Sequence, residues 1–311
     1  MKLLQLPPGE LRRQLAGPGI WLRTGPFSLR VRSRLDAVAE GLGELYGQFE
    51  VRNPRETFAD FHVSVDPQTR LRQGLRPKVN FSFDGIAPFE PEPIDQAYPM
   101  LERGLDWCVS EHAHQYLMIH AAVVEKNDQA VILPAPPGSG KSTLVAALVL
   151  SGWRLLSDEL ALIDRKTGWI HPLPRPICLK NESIPLIRAF HADAYLSGVS
   201  RNSANGSIAY MRPPKESVRR QHEPAKPRWI IFPKWVADSA LEVLPRSKQE
   251  TFQFLTQHAF NYSQLGTEGF PVCSALIKQT DCYDFQYSRL EEAVAFFDRL
   301  AASSVTTRQG N

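Results

Sequence analysis

At 311 residues, with 43% hydrophobic and 22% charged residues, the chain has ordinary globular composition and enough length for one large domain or two smaller ones. A formal net charge of +3 gives no ground for a nucleic-acid partner. No stretch of about 18 or more uninterrupted apolar residues occurs, so neither a transmembrane helix nor a membrane partner is expected.

The opening "MKLLQLPPGELRRQL" meets Pro7, Pro8 and Glu10 after a short apolar run, so no signal peptide is expected. The four cysteines (Cys108, Cys178, Cys273, Cys282) are scattered, without a C-x-x-C pair, and lie among apolar residues. Buried reduced thiols and a cytoplasmic protein follow as expectations.

Residues 1–95 read as a small α+β module. "GPFSLRVRS" (Gly25–Ser33) and "FADFHVSVD" (Phe58–Asp66) alternate apolar and polar residues, the pattern of half-buried strands, and His62 falls into that alternation as a structural residue. Between them, Leu35, Val38, Leu42 and Leu45 recur at helical spacing. "GIAPFEPEPIDQAYP" then carries four prolines and three acids, which predicts a linker or a surface crossing. A second domain is therefore expected over 96–311.

A helical pattern resumes at about Met100 through "LERGLDWCVSEHAH". "YLMIHAAVVEKNDQAVILPAP" reads as two strands joined by a turn at Lys126-Asn127-Asp128, and the following helix stops at Ser151-Gly152. "WRLLSDELALID", "GWIHPLPRPICL", "RWIIFP" (Arg228–Pro233), "LEVLP" and "YDFQY" (Tyr283–Tyr287) are all strand-like. Ser288-x-x-Glu291 predicts a capping box for a last helix, whose apolar stripe is Leu290, Ala293, Val294, Phe297 and Leu300.

The motif with chemistry lies between the second strand of that pair and its helix. Ala135-Pro136-Pro137-Gly138-Ser139-Gly140-Lys141-Ser142 satisfies a Walker A loop, with Ala in the first slot. Such a loop points successive backbone N–H groups at a phosphate, which requires small residues, and the helix that follows presents its positive end. Pro137, Gly138, Ser139, Gly140, Lys141, Ser142 and Thr143 are therefore the candidate nucleotide-binding residues, with Lys141 neutralising the β- and γ-phosphates and Ser142 ligating Mg²⁺. ATP and Mg²⁺ are the cofactors expected. Nothing in the sequence marks the base site or separates ATP from GTP.

Two neighbours add to the loop: His120 on the preceding strand, and Asp158 and Glu159 near the end of the next one. An acid beside a P-loop is where a nucleotide-binding sheet keeps a carboxylate that orders the metal. His112 and His114 fall on a predicted helix and His120 on a strand, an unpromising layout for a zinc site.

The run from His120 to Asp164, with "IH", "APPGSGKST" and "RLLSDE" in that order, resembles the core of the HPr kinase/phosphorylase family. The similarity covers about Gln115–Leu173. With "QYLMIHAAVVEKN", "GWRLLSDELALI" and the N-terminal "FADFHVSV", most of the chain resembles the HPr-kinase-related kinase A group. The resemblance implies an α/β fold, a P-loop HPr kinase and phosphoenolpyruvate carboxykinase-like domain behind a small α+β N-terminal domain. It implies that Asp158 takes the acceptor hydroxyl's proton, that His120 orients or polarises, and that Glu159 helps hold the metal. It also implies a homo-oligomer.

The sequence departs from the family at three places. Thr143 stands where HPr kinases usually have Glu, Glu159 stands in place of Asp, and the longer "E-I-R-G-L-G" signature is absent. The resemblance therefore does not extend to HPr as substrate or to phosphorolysis. Where that signature would fall lies "YMRPPKESVRRQHEPAKPR" (Tyr210–Arg228), a proline-broken basic segment expected at a mobile surface. Its Arg212 is a candidate catalytic contact to the transferring phosphate, with Arg175 in "LPRP" as a second.

The expected activity is Mg-ATP-dependent phosphoryl transfer to a hydroxyl, on Ser of a protein or peptide or on a small molecule. A non-catalytic nucleotide-dependent switch and a simple NTPase are the alternatives.

Overall fold

The computed structural model describes residues 1–52, 58–68, 77–202 and 206–306. It is a mixed α/β structure whose strands, among the described residues, form five-, eight- and three-stranded sheets. The chain divides into two compact units. The first comprises 1–112, 175–186 and 193–219, and the second 113–174, 187–192 and 220–311.

The first unit opens with α1 (Pro8–Ala16), β1 (Ile20–Thr24), β2 (Phe27–Ser33) and α2 (Asp36–Leu45). β3 (Phe61–Pro67), β4 (Lys78–Phe83), β5 (Glu92–Pro93) and α3 (Ala97–His112) follow. The alternation read from Gly25 to Ser33 belongs to the second arm of a hairpin, because Ile20–Thr24 pairs antiparallel with it. β2 and β3 run parallel, which requires a crossover, and α2 supplies it with Val38, Leu42 and Leu45 buried.

α3 starts three residues before Met100. Pro99 lies in its first turn, where a missing N–H costs no helical hydrogen bond. The proline-rich segment is therefore not the boundary between the units: the division falls at 112/113 rather than at 95/96. The reason is packing. A Cβ on Gly104 would lie 2.1 Å from the Phe81 ring, so the glycine admits a β4 aromatic directly against the backbone of α3.

The second unit holds β6 (Tyr116–Lys126), β7 (Gln129–Pro134), α4 (Lys141–Leu150), β8 (Arg154–Ser157), β9 (Leu160–Asp164) and β10 (Ile170–His171). Asn127 and Asp128 carry φ of 57° and 61°, the left-handed pair that a two-residue hairpin between twisted strands needs. The chain then contributes β11 (Ile177–Lys180), α5 (Ser183–Phe190), β12 (Ser200–Asn202), β13 (Gly206–Met211) and α6 (Lys215–Arg219). β11, β13 and β12 make the three-stranded sheet, in that order. β14 (Lys226–Trp235), β15 (Glu242–Pro245), α7 (Lys248–Gln257), α8 (Gly269–Lys278), β16 (Asp281–Tyr287) and α9 (Leu290–Thr306) complete the second unit.

The eight-stranded sheet runs β10-β9-β6-β7-β14-β16-β15, with β8 pairing β6. β7, β14 and β16 are parallel, so their C-terminal ends share the edge from which the P-loop leaves β7. Leu117, Ile119, Ala121 and Val123 of β6 pack with Ile132, Ile230, Leu255 and Leu276 in one buried cluster. This rigid centre holds the loops at the sheet edge.

No disulfide joins the four cysteines; Cys108, Cys273 and Cys282 are buried and Cys178 is half-buried. The basic segment holds α6 and the start of β14 rather than one continuous loop. Arg219 pairs with Glu216 and Arg220 with Glu223, both at 2.6 Å, and Arg228 reaches Asp281 at 3.0 Å. At the last helix the Ser288 hydroxyl donates to the Ser239 carbonyl and the helix begins at Leu290. A capping box occurs instead at Ser247 and Glu250, ahead of α7.

One buried ion pair fastens the β6–β7 hairpin to β8. Arg154 donates to the Glu125 carboxylate and to the carbonyls of Arg220 and Glu223, at 3.1 and 2.9 Å. Glu125 is 3% and Arg154 6% exposed. Removing one member strands the other charge away from water, so Glu125→Ala is expected to destabilise by about 3–5 kcal/mol, measurable as a lowered urea midpoint.

Candidate active site

β7 ends at Pro134, Ala135 is buried beneath the loop, and residues 136–138 are exposed. Gly138 and Gly140 hold φ of +82° and +86°, a region that side-chain-bearing residues rarely enter. Around Gly138 nothing lies within 4 Å of a would-be Cβ, so this part of the loop faces open space. Gly140 is the opposite case: its would-be Cβ lies 2.7 Å from the Tyr287 hydroxyl and 2.9 Å from Trp235 Cβ. The Tyr287 hydroxyl donates to the Gly140 carbonyl at 3.0 Å, and the Trp235 N–H donates to the Ser139 carbonyl at 2.9 Å. The ends of β14 and β16 thus clamp the loop from the side. The Ser139 hydroxyl is buried with no hydrogen-bond partner among the described residues.

Lys141, Ser142 and Thr143 form the first turn of α4. Lys141 is only 7% exposed, and its ammonium donates to the Asp158 carbonyl at 2.6 Å and to Glu159 Oε2 at 3.2 Å. The same Glu159 oxygen lies 2.8 Å from His120 Nε2. Sheet register explains this convergence. Ala121 pairs with Pro134, which sets His120 level with the start of the loop, and His120 pairs with Leu160, next to Glu159. Asp158 and Glu159 occupy the bend between β8 and β9, and Asp158 is 5% exposed.

Burial alone would push the Glu159 carboxyl up; the Lys141 charge and the His120 hydrogen bond and charge outweigh it and bring it down to about 2. Because the folded-state pKa lies below the unfolded one, the stability this group contributes is in place above the ordinary carboxylate pKa. It is lost as pH falls through the folded value. Glu159→Gln is therefore expected to be less stable than wild type at neutral pH, with the difference shrinking as pH falls toward about 2. Urea midpoints of both proteins across the acid range check this. A gap that does not close with acid would mean that the carboxylate charge is not what Lys141 and His120 recognise.

Lys141, His120, Asp158, Glu159 and the loop residues thus lie together in the second unit. The candidate arginines belong to the first. Arg212 lies 3.7 Å over the Tyr195 ring and donates to the Glu44 carbonyl. Arg175 is 8% exposed and pairs with Glu102 at 3.4 Å and with Asp106. There Glu102 also accepts hydrogen bonds from the Tyr46 and Tyr98 hydroxyls, making a buried polar cluster. His112 stacks on Phe83, with ring centroids 4.7 Å apart.

Three aromatic residues beside the site were not foreseen from the sequence: Trp235, Tyr287 and Phe260. Phe260 lies 5.8 Å from the His120 ring and is 45% exposed. Tyr287 was recognisable as the end of a strand, but its partner Gly140 is 147 residues away.

No helix among the described residues is long and apolar enough to cross a membrane. Neither a protein-family model nor a curated protein matches the chain. Among solved structures it is similar to the Hpr(Ser) kinase/phosphatase from Coxiella burnetii, with a TM-score of 0.29 and 11% identity. The match covers 62% of this chain and 99% of that one, a likeness too slight to carry an assignment.

Proposed function

We propose that the protein is a Mg-ATP-dependent kinase that transfers the γ-phosphate to a hydroxyl, most simply of Ser in a protein or peptide. The observation that carries the reading is the convergence of the P-loop lysine and His120 on one Glu159 oxygen, with Asp158 adjacent. An acid beside the loop serves any nucleotide-binding sheet; the histidine on the preceding strand, sharing that acid with the P-loop lysine, is what favours phosphoryl transfer.

The residues suit the ligands. The glycine geometry of the loop, the open space at Gly138 and the unpartnered Ser139 hydroxyl form a cradle for phosphate oxygens. Among the described residues no three His, Cys, Asp or Glu side chains converge as a metal cage. Magnesium instead rests on one or two carboxylates plus substrate phosphates, and here Ser142 and Glu159 would hold it. When bound, the ion neutralises charge on the β- and γ-phosphates.

In transfer, the acceptor oxygen bonds to the γ-phosphorus as the bond to the β–γ bridging oxygen breaks, releasing ADP. Asp158 takes the acceptor proton late, as charge builds on the phosphoryl oxygens. His120 fixes the Glu159 carboxylate, and Lys141 stabilises charge on the phosphates.

The test is incubation of the purified protein with γ-labelled ATP, Mg²⁺ and a lysate of its host, beside Lys141→Ala. Label on a discrete protein or peptide, absent with the variant, is the expected result. Label on a metabolite would move the acceptor to a small molecule. Free phosphate as the sole product would replace the kinase by a hydrolase.

A further inference from the structure

Beside the P-loop, on the β14 and β16 side, the second unit carries an open cleft of about 620 Å³. Trp235, Asp238, Ser239, Leu241, Arg289 and Glu292 line it. Nothing said so far of phosphate binding or transfer uses it. Its size is that of a small-molecule site, commonly about 300–1,000 Å³.

The cleft is built into the same framework that holds the loop. Trp235 serves both: its N–H donates to the P-loop carbonyl of Ser139, and its indole N–H donates to the Ser288 carbonyl at 3.0 Å. The chain after it is tied down as well. Val236 N–H donates to the Tyr287 carbonyl at 2.9 Å, and the Ser288 hydroxyl donates to the Ser239 carbonyl at 2.8 Å. With those bonds made, Trp235 as a residue is still 49% exposed. A large aromatic left half-open, in a wall pinned by four hydrogen bonds, is a stacking surface prepared in advance. Around it are Arg289 and Glu292, which pair with each other at 3.4 Å, the Asp238 carboxylate, and the Ser239 hydroxyl, which donates to the Val236 carbonyl at 3.0 Å and keeps its acceptor side.

We infer that this cleft takes the nucleobase of the nucleotide whose phosphates the P-loop holds, with the base stacked on Trp235. The inference rests on the nucleotide reading of the loop given above. A planar heterocycle fits the aromatic wall, and its ring nitrogens and exocyclic groups match the mixed polar rim. The link through Ser139 places the base wall immediately beside the phosphate cradle, as one ligand spanning both requires.

Calorimetric titration of ADP and of inorganic pyrophosphate, each with Mg²⁺, separates base from phosphate. Trp235→Ala removes the stacking surface. Ala240→Trp fills the cleft from an exposed position that leaves the clamp residues unchanged. Both variants are expected to weaken ADP about tenfold or more, and Ala240→Trp, which lies outside the clamp, to leave pyrophosphate affinity as in wild type. If Trp235→Ala weakens both ligands equally, that residue acts through the loop, and Ala240→Trp decides the matter. ADP bound by Ala240→Trp as by wild type would overturn the inference while leaving the nucleotide reading intact. Wild type that binds ADP no more tightly than pyrophosphate would do the same. Wild type that binds neither ligand would overturn both.

Discussion

Asp158→Asn is expected to keep its nucleotide and to transfer phosphate about 10²- to 10⁴-fold more slowly, the usual worth of a positioned general base. The substitution preserves shape and removes the proton acceptor. It also leaves the Lys141 anchor in place, because the ammonium is held by the Asp158 backbone carbonyl and by Glu159, not by the Asp158 side chain. Single-turnover transfer measured beside nucleotide affinity separates the roles. Undiminished transfer would remove Asp158 from the mechanism. Loss of nucleotide binding with loss of transfer would make it a metal-ordering acid instead.

The second large effect is structural and concerns two glycines of one loop that differ in surroundings. Gly140→Ala is expected to abolish nucleotide binding and to lower the melting temperature. Its Cβ must displace the Tyr287 hydroxyl and the backbone-anchored Cβ of Trp235, in addition to the left-handed strain of about 1–2 kcal/mol. Gly138→Ala carries the strain alone, because its Cβ meets nothing within 4 Å. It should cost about 1 kcal/mol and weaken nucleotide binding without abolishing it. Thermal melts and nucleotide titrations of the pair test the clamp directly. Equal effects from the two substitutions would mean that Tyr287 and Trp235 do not constrain the loop.

Much of this was legible in the sequence, and for a shared reason. The strand–loop–helix around Lys141, the turn at Asn127-Asp128 and the acid pair at the β8–β9 bend each depend on residues a few positions apart. Local backbone chemistry writes itself into local spacing: glycines where φ is positive, an apolar run where a strand is buried on both faces, a Ser-Gly pair where a helix stops. The candidate residues His120, Lys141, Asp158 and Glu159 were found in this way, from their positions along successive strands.

What escaped the sequence depends on which distant segments meet. The expected boundary at 95/96 rested on prolines and acids; the division at 112/113 follows from Gly104 receiving Phe81. The Ser288 hydroxyl donates to the carbonyl of Ser239, 49 residues away, a contact that local spacing cannot show. In sequence, Arg212 and Arg175 are alike as candidate contacts to the transferring phosphate, each in a proline-rich segment. Tyr195 and Glu44 engage one, and Glu102 and Asp106 bury the other. The meeting of His120 with Glu159 and the clamp of Trp235 and Tyr287 on the P-loop likewise join residues 39 to 147 positions apart. Spacing can specify a loop that binds phosphate. What surrounds that loop is set by strand order and register, which bring side chains together only once apolar surface throughout the chain has been buried.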